Sequence, residues 1–156
     1  MTAQQGLVVQ AAVALERMAF VIAEPIDVEP EAELQRARHF AFVAIDGDSC
    51  GFLMVAATDG CVREIAAGML GIEVADLVVD EHGEATVLEL ANVLGGHAIY
   101  SGGGDDSPLR LGLPEASTRE RCAELLRHAR ADGFCGVVAA EHGRLVLAGV
   151  LPGVRC

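Results

Sequence analysis

The sequence predicts an α+β fold built around a mostly antiparallel sheet, and three features of the chain lead there. Its periodic segments run in the order helix, two strands, two helices, strand, helix, two strands. Strand candidates come largely in adjacent pairs joined by short turns, as in hairpins, instead of alternating with helices as in βαβ units. Hydrophobic residues fill 52% of the 156 positions, enough for a substantial core. Chains of this size bury roughly 70% of their unfolded surface. No segment reads as a linker, so one domain over residues 1–156 is expected.

Taken in order, Gln4 to Ala23 has helical rhythm, with Leu7, Ala11, Ala14, Leu15, Met18 and Ile22 on one broad apolar face. Pro25 and Pro30, set among acidic residues, end that helix and give a loop. Arg38 to Asp46 reads as a strand through Phe40, Phe42, Val43 and Ile45. Asp46 to Ser49 has turn chemistry, and Cys50 to Ala57 is the antiparallel partner strand. Thr58 or Asp59 caps a helix from Cys61 to Leu70 that stops at Gly71, and a short helix with an extended connection follows over Val74 to Val79. Gly83 to Tyr100 is the second long helix, Gly102 to Asp106 a break, and Leu109 to Leu113 a strand. Ser117 and Glu120 have the spacing of a capping box, which starts a helix running to Arg130. Phe134 to Ala140 and Arg144 to Val150 close the chain as a hairpin around Glu141, His142 and Gly143.

Charge and composition remove several classes of function. The net charge is −12, and a strongly acidic surface repels phosphate backbones, so no nucleic-acid partner is expected. All eleven basic residues are arginine, which rules out a P-loop lysine and a lysine Schiff base. Apolar runs are interrupted well short of the ~18 residues that a membrane span requires. No basic residue precedes the apolar part of Met1 to Gln10, so a secretory signal is not expected and the cytoplasm is the expected compartment. The five cysteines, Cys50, Cys61, Cys122, Cys135 and Cys156, are scattered without C-x-x-C spacing and read as free, buried, small hydrophobes.

The stretch that carries chemistry is Glu84 to Gly96. On a helix, positions i, i+4, i+7 and i+11 share a face, and here these are Ala85, Glu89, Asn92 and Gly96. Val87, Ala91, Leu94 and Ala98 form a separate apolar face for the core. Solvated helix faces more often carry long charged side chains at salt-bridge spacing. Small residues around a carboxylate and an amide instead allow another molecule to come close. Asparagine does not titrate, but its amide and carbonyl can hold a water molecule in line with a phosphoryl group, a positioning role. Glutamate can anchor a cation on a partner. The first helix repeats the same set as Ala12, Glu16, Ala19 and Ala23, with Ala19 standing where Asn92 stands, so the two long helices read as a pseudo-repeat with one complete and one blank site.

With these residues in place, the chain resembles the CheC/CheX/FliY family of chemotaxis phosphatases. The likeness runs through Leu15 to Phe20 with its trailing Ala23 to Pro25, the hairpin Phe40 to Ala57, and the helix end Gly68 to Gly71. It culminates in Glu89-Leu-Ala-Asn92 with Gly96 four residues on. The resemblance implies two long helices packed together on one side of the sheet. It also implies hydrolysis of the aspartyl phosphate on a CheY-like receiver domain. By similarity, Asn92 would orient the attacking water, Glu89 would contact the receiver's active-site lysine, and Ala85 and Gly96 would border the bound partner. Mg2+ would sit on the receiver, so this chain would need no cofactor or metal ligand of its own. CheX-like members are single-site homodimers, and the blank Ala19 puts this chain with them. Family members commonly have Asp or Ser where this chain has Ala85, which motivates an alternative: a receiver-binding or assembly module of the same fold without hydrolysis.

Other residues give less. His39, His82, His128 and His142 lie in separate segments without metal-ligand spacing, and His97 sits one position past the proposed face. Gly102 to Gly104 lacks the strand–loop–helix setting of a dinucleotide fingerprint.

Overall fold

A computed structural model describes residues 3–47, 49–103 and 109–152. Five helices are present among them: α1 (Ala3–Ala19), α2 (Pro30–Arg36), α3 (Asp59–Leu70), α4 (Val79–Gly103) and α5 (Arg119–Asp132). The strands are β1 (Glu24–Ile26), β2 (His39–Asp46), β3 (Cys50–Ala57), β4 (Arg110–Leu111), β5 (Glu115–Ala116), β6 (Phe134–Ala139) and β7 (Arg144–Val150). They form one sheet in the order β1-β6-β7-β3-β2-β4, with β5 also pairing β2, and every pairing is antiparallel.

Side-chain alternation assigns the two faces of this sheet. Val43, Ile45, Leu53, Val55, Leu145 and Leu147 enter one core, under α1, α3 and α4. Their strand neighbours Met54, Ala56, Val146 and Ala148 enter a second core, under α2 and α5. The expected α+β arrangement is present, with the two long helices α1 and α4 on one face. The opposite face is covered as well, so the molecule has three layers.

Local chemistry sets most of the boundaries. Thr58 caps α3 by accepting the Cys61 N–H, and the same oxygen accepts the Arg144 N–H, tying the helix start to β7. Gly71 closes α3 at φ 69°, the left-handed conformation that glycine adopts without strain. The cap of α5 is Thr118, which accepts from the Arg121 N–H, and not Ser117, whose own N–H donates to the Phe40 carbonyl at the sheet edge. The expected loop at Pro25 and Pro30 instead contains β1 and α2, because Pro30 occupies the helix start, where its missing N–H costs nothing.

The first helix is shorter than the pattern predicts. It stops at Ala19, where Phe20 turns to φ 58° and the Val21 N–H reaches back to the Leu15 carbonyl. Leu7, Ala11, Ala14 and Leu15 are buried as expected, but Ile22 lies beyond the helix and is 83% exposed. α3 meets the end of α1 so closely that a Cβ on Gly68 would stand 1.7 Å from the Ala19 carbonyl oxygen. Gly68→Ala should therefore destabilise the fold by about 1–3 kcal/mol through overpacking, outweighing the gain in helix propensity. Urea unfolding followed by circular dichroism checks this.

Candidate functional site

The site is built on α4, and its position follows from what the other side of that helix does. Val87, Leu90, Ala91, Leu94 and Ala98 are buried in the core against the sheet. A helix that commits those positions inward must turn Ala85, Glu89 and Asn92 outward, and all three are exposed, with Gly96 partly so. Neither the Glu89 carboxylate nor the Asn92 amide makes a hydrogen bond or ion pair with another described residue. Both groups face solvent without a partner among the described residues.

The glycine pair at the end of the motif divides two tasks. A Cβ on Gly95 would meet Leu111 Cδ1 at 2.8 Å and Val43 Cγ1 at 2.9 Å, so this glycine lets α4 lie close to the sheet. A Cβ on Gly96 would meet nothing within 4 Å, so its lack of a side chain serves no packing among the described residues. The open space there is on the same helix face as Asn92.

Neighbours of Ala85 do not replace a polar group at that position. Thr86 is buried, and its hydroxyl donates to the His82 carbonyl at 2.7 Å. Glu84 is exposed one residue earlier on the helix.

The first helix does not offer an equivalent surface. Glu16 is exposed, but Ala12 and Ala19 are buried at 7% and 1%, and Ala23 lies outside the helix. The pseudo-repeat read from spacing is therefore corrected: the face that would match Asn92 is packed against the rest of the molecule, because α3 closes over the end of α1 at Gly68. Ala19 is a core residue, not a blank in an exposed site.

No group of three or more His, Cys, Asp or Glu side chains is placed to hold a metal ion among the described residues. Cys61 and Cys122 are buried as expected, and burial pushes their thiols up to about 12 and about 11 respectively, so both are inert. Cys50 is exposed and Cys135 half-buried, contrary to the expectation that all the cysteines are interior; Cys156 lies outside the described residues. A wide depression of about 920 Å³ runs beside β6, between Val8, Pro25, Arg130 and Cys135, and includes none of the motif residues. A smaller groove of about 370 Å³ lies between α1 and α4 and is lined by Gly96 together with Val13, Arg17 and Tyr100. Sequence reasoning did not find these last three residues, since no periodicity marks which outer faces of two distant helices will adjoin. No described helix is long and apolar enough to cross a membrane.

Comparison with known proteins shows the family and the fold. A family model described as "Chemotaxis phosphatase CheX" matches residues 40–131, more than half of the chain, and the match contains the whole Glu84 to Gly96 motif. Several solved structures share the fold at low sequence identity. A putative chemotaxis protein from Desulfovibrio vulgaris Hildenborough superposes with a TM-score of 0.67 at 16% identity, covering 96% of this chain and 96% of its own. The chemotaxis protein CheX from Vibrio vulnificus gives a TM-score of 0.67 at 14% identity, over 95% of this chain and 97% of that one. The CheX–CheY–BeF3–Mg2+ complex from Borrelia burgdorferi gives 0.63 at 14% identity, over 94% and 97%. No curated protein matches the chain significantly in sequence. With the family match spanning more than half of its length and the fold shared nearly end to end, this chain belongs to the CheX family of chemotaxis phosphatases.

Proposed function

We propose that this chain hydrolyses the aspartyl phosphate of a CheY-like receiver domain, with Asn92 and Glu89 as the working pair. One observation carries the reading: on α4 an amide and a carboxylate face solvent one turn apart, unengaged and flanked by residues too small to obstruct a docked molecule. The family supports the reaction class. A CheX of the same fold from Borrelia burgdorferi forms a complex with CheY, BeF3 and Mg2+, which supports the partner class.

In this mechanism the receiver contributes the acyl phosphate, the Mg2+ and a lysine, and this chain brings geometry. Asn92 accepts a hydrogen bond from a water molecule and holds its oxygen in line with phosphorus. The water oxygen bonds to phosphorus as the bond to the aspartyl oxygen breaks, giving inorganic phosphate and a free carboxylate. The leaving carboxylate needs no general acid, so a residue that does not titrate is adequate for the task. Glu89 pairs with the receiver's lysine and fixes the register of docking. This chain needs no metal of its own, and homodimerisation is part of the same reading, checked by light scattering.

Ala85, where relatives commonly place Asp or Ser, favours one alternative: a module that binds the receiver without hydrolysing it. Phosphate release from receiver domains of the host, pre-phosphorylated with a small-molecule donor, separates the two. Asn92→Ala should lower the added rate about 100-fold while binding persists, since positioning effects of this kind are worth about that much. Glu89→Ala should weaken binding as well as rate. Binding without any acceleration of phosphate release by the wild-type chain would overturn the enzymatic reading and leave the module.

Gly96 gives a second check, with two readouts of opposite sign. Gly96→Ala should raise stability by about 0.5–1 kcal/mol, because helical glycine is unfavourable and the added methyl meets none of the described residues. Gly96→Leu should fold normally yet bind the receiver at least several-fold more weakly. Thermal melting paired with a binding titration measures both.

A further inference from the structure

The outer surface beside Asn92 continues past Gly96. There α1 and α4 leave the groove of about 370 Å³, lined by Gln10, Val13 and Arg17 from α1 and by Gly96, His97 and Tyr100 from α4. Gly96 raises no side chain between the groove and the face that carries Asn92 one turn earlier. Two large apolar groups, Val13 and Tyr100, stand exposed along it. Arg17 is exposed too, and its guanidinium makes no ion pair or hydrogen bond among the described residues. Arg36, Arg121, Arg130 and Arg144 are each engaged by a carboxylate, whereas Arg17 keeps its charge free at the groove, in a chain of net charge −12. Among the described residues, no carboxylate lines the groove.

We propose that this groove is a second docking surface for the phosphorylated receiver domain, with Arg17 meeting an acidic patch on the receiver and Val13 and Tyr100 taking an apolar side chain beside it. The inference rests on the function proposed above and names how the partner is held. Interface size requires something of the kind. A specific contact buries roughly 800 Å² on each partner, far more than two side chains on one helix supply. Charge favours this location. A receiver whose active site gathers a phosphoryl dianion and metal-binding carboxylates is acidic where it must dock, and so is this chain overall. An unpaired cation next to the site offsets that repulsion and sets orientation. The apolar pair supplies the water-excluding part of the contact.

The test uses the host receiver domain whose phosphate release this chain accelerates, activated with beryllofluoride and Mg2+ for binding and phosphorylated for turnover. Arg17→Glu should weaken binding about tenfold and Tyr100→Ala several-fold, and the change should fall on the half-saturating receiver concentration. Arg17→Lys should recover much of the loss, and added salt should weaken the wild-type complex more steeply than the Arg17→Glu complex. Arg127→Glu, the same charge change on α5 across the sheet, should alter neither binding nor turnover. Thermal melting of each variant reports whether it folds. Wild-type binding by Arg17→Glu and Tyr100→Ala, with Asn92→Ala still abolishing phosphate release, would overturn this inference and leave the hydrolytic reading standing. Loss of self-association in Arg17→Glu with receiver binding intact would overturn it in favour of a contact between copies. If Asn92→Ala left phosphate release unchanged, the proposed function itself would fall, and this inference with it.

Discussion

The seating of α4 on β2 and β3 is the contact on which the rest of this structure depends. Val87, Leu90, Ala91, Leu94 and Ala98 are buried there, and Gly95 permits an approach that a single methyl would crowd against Val43 and Leu111. Burial of those five side chains is non-directional in origin, yet its consequence is directional. A helix fixed by one face has no freedom over what its other face shows. Glu89 and Asn92 are held outward without a hydrogen bond to any described residue.

The second layer gives that platform rigidity from behind. Covering both faces of an antiparallel sheet lets β3 and β7 present apolar residues at nearly every position, Leu53 to Ala57 and Leu145 to Ala148 among them. Polar ties join the outer helices to each other and to the sheet. Glu33 of α2 is buried and accepts hydrogen bonds from Arg36 at 3.3 Å and from Arg144 of β7 at 3.1 Å. Arg130 of α5 grips Glu29 and Glu31 around the start of α2, and its guanidinium holds the Glu31 carboxyl below the usual range. That exposed pair is worth little by itself, on the order of 1 kcal/mol or less. The buried carboxylate matters more, because removing either arginine would leave its charge poorly compensated inside the protein.

An exposed surface of this kind differs from an enclosed active site. Glu89 and Asn92 stand exposed on the helix surface, and in the proposed reaction they need no enclosing cleft. An acyl phosphate has a good leaving group, so the remaining barrier is mostly orientation of water and management of charge, which an amide and a carboxylate can provide once the partner closes over them. In the proposed reaction the receiver supplies the reactive group and the metal, and this chain contributes shape.

Much of this was determined by the sequence alone. Antiparallel hairpins, the two long helices and the outward placement of Ala85, Glu89, Asn92 and Gly96 follow from periodicities of 2 and 3.6, which are local properties of the chain. Other features were decided only by tertiary contact. β1 and β5 are two or three residues long and exist because β6 and β2 offer them unpaired edges. Ala12 and Ala19 match Ala85 and Asn92 in spacing, yet both are buried, Ala19 where α3 meets the end of α1 in a contact written in Gly68 and not in the first helix. The groove between Arg17 and Tyr100 likewise needed two helices far apart in sequence to come side by side. Spacing tells which residues share a face; only packing decides whether that face meets water, the core or another helix.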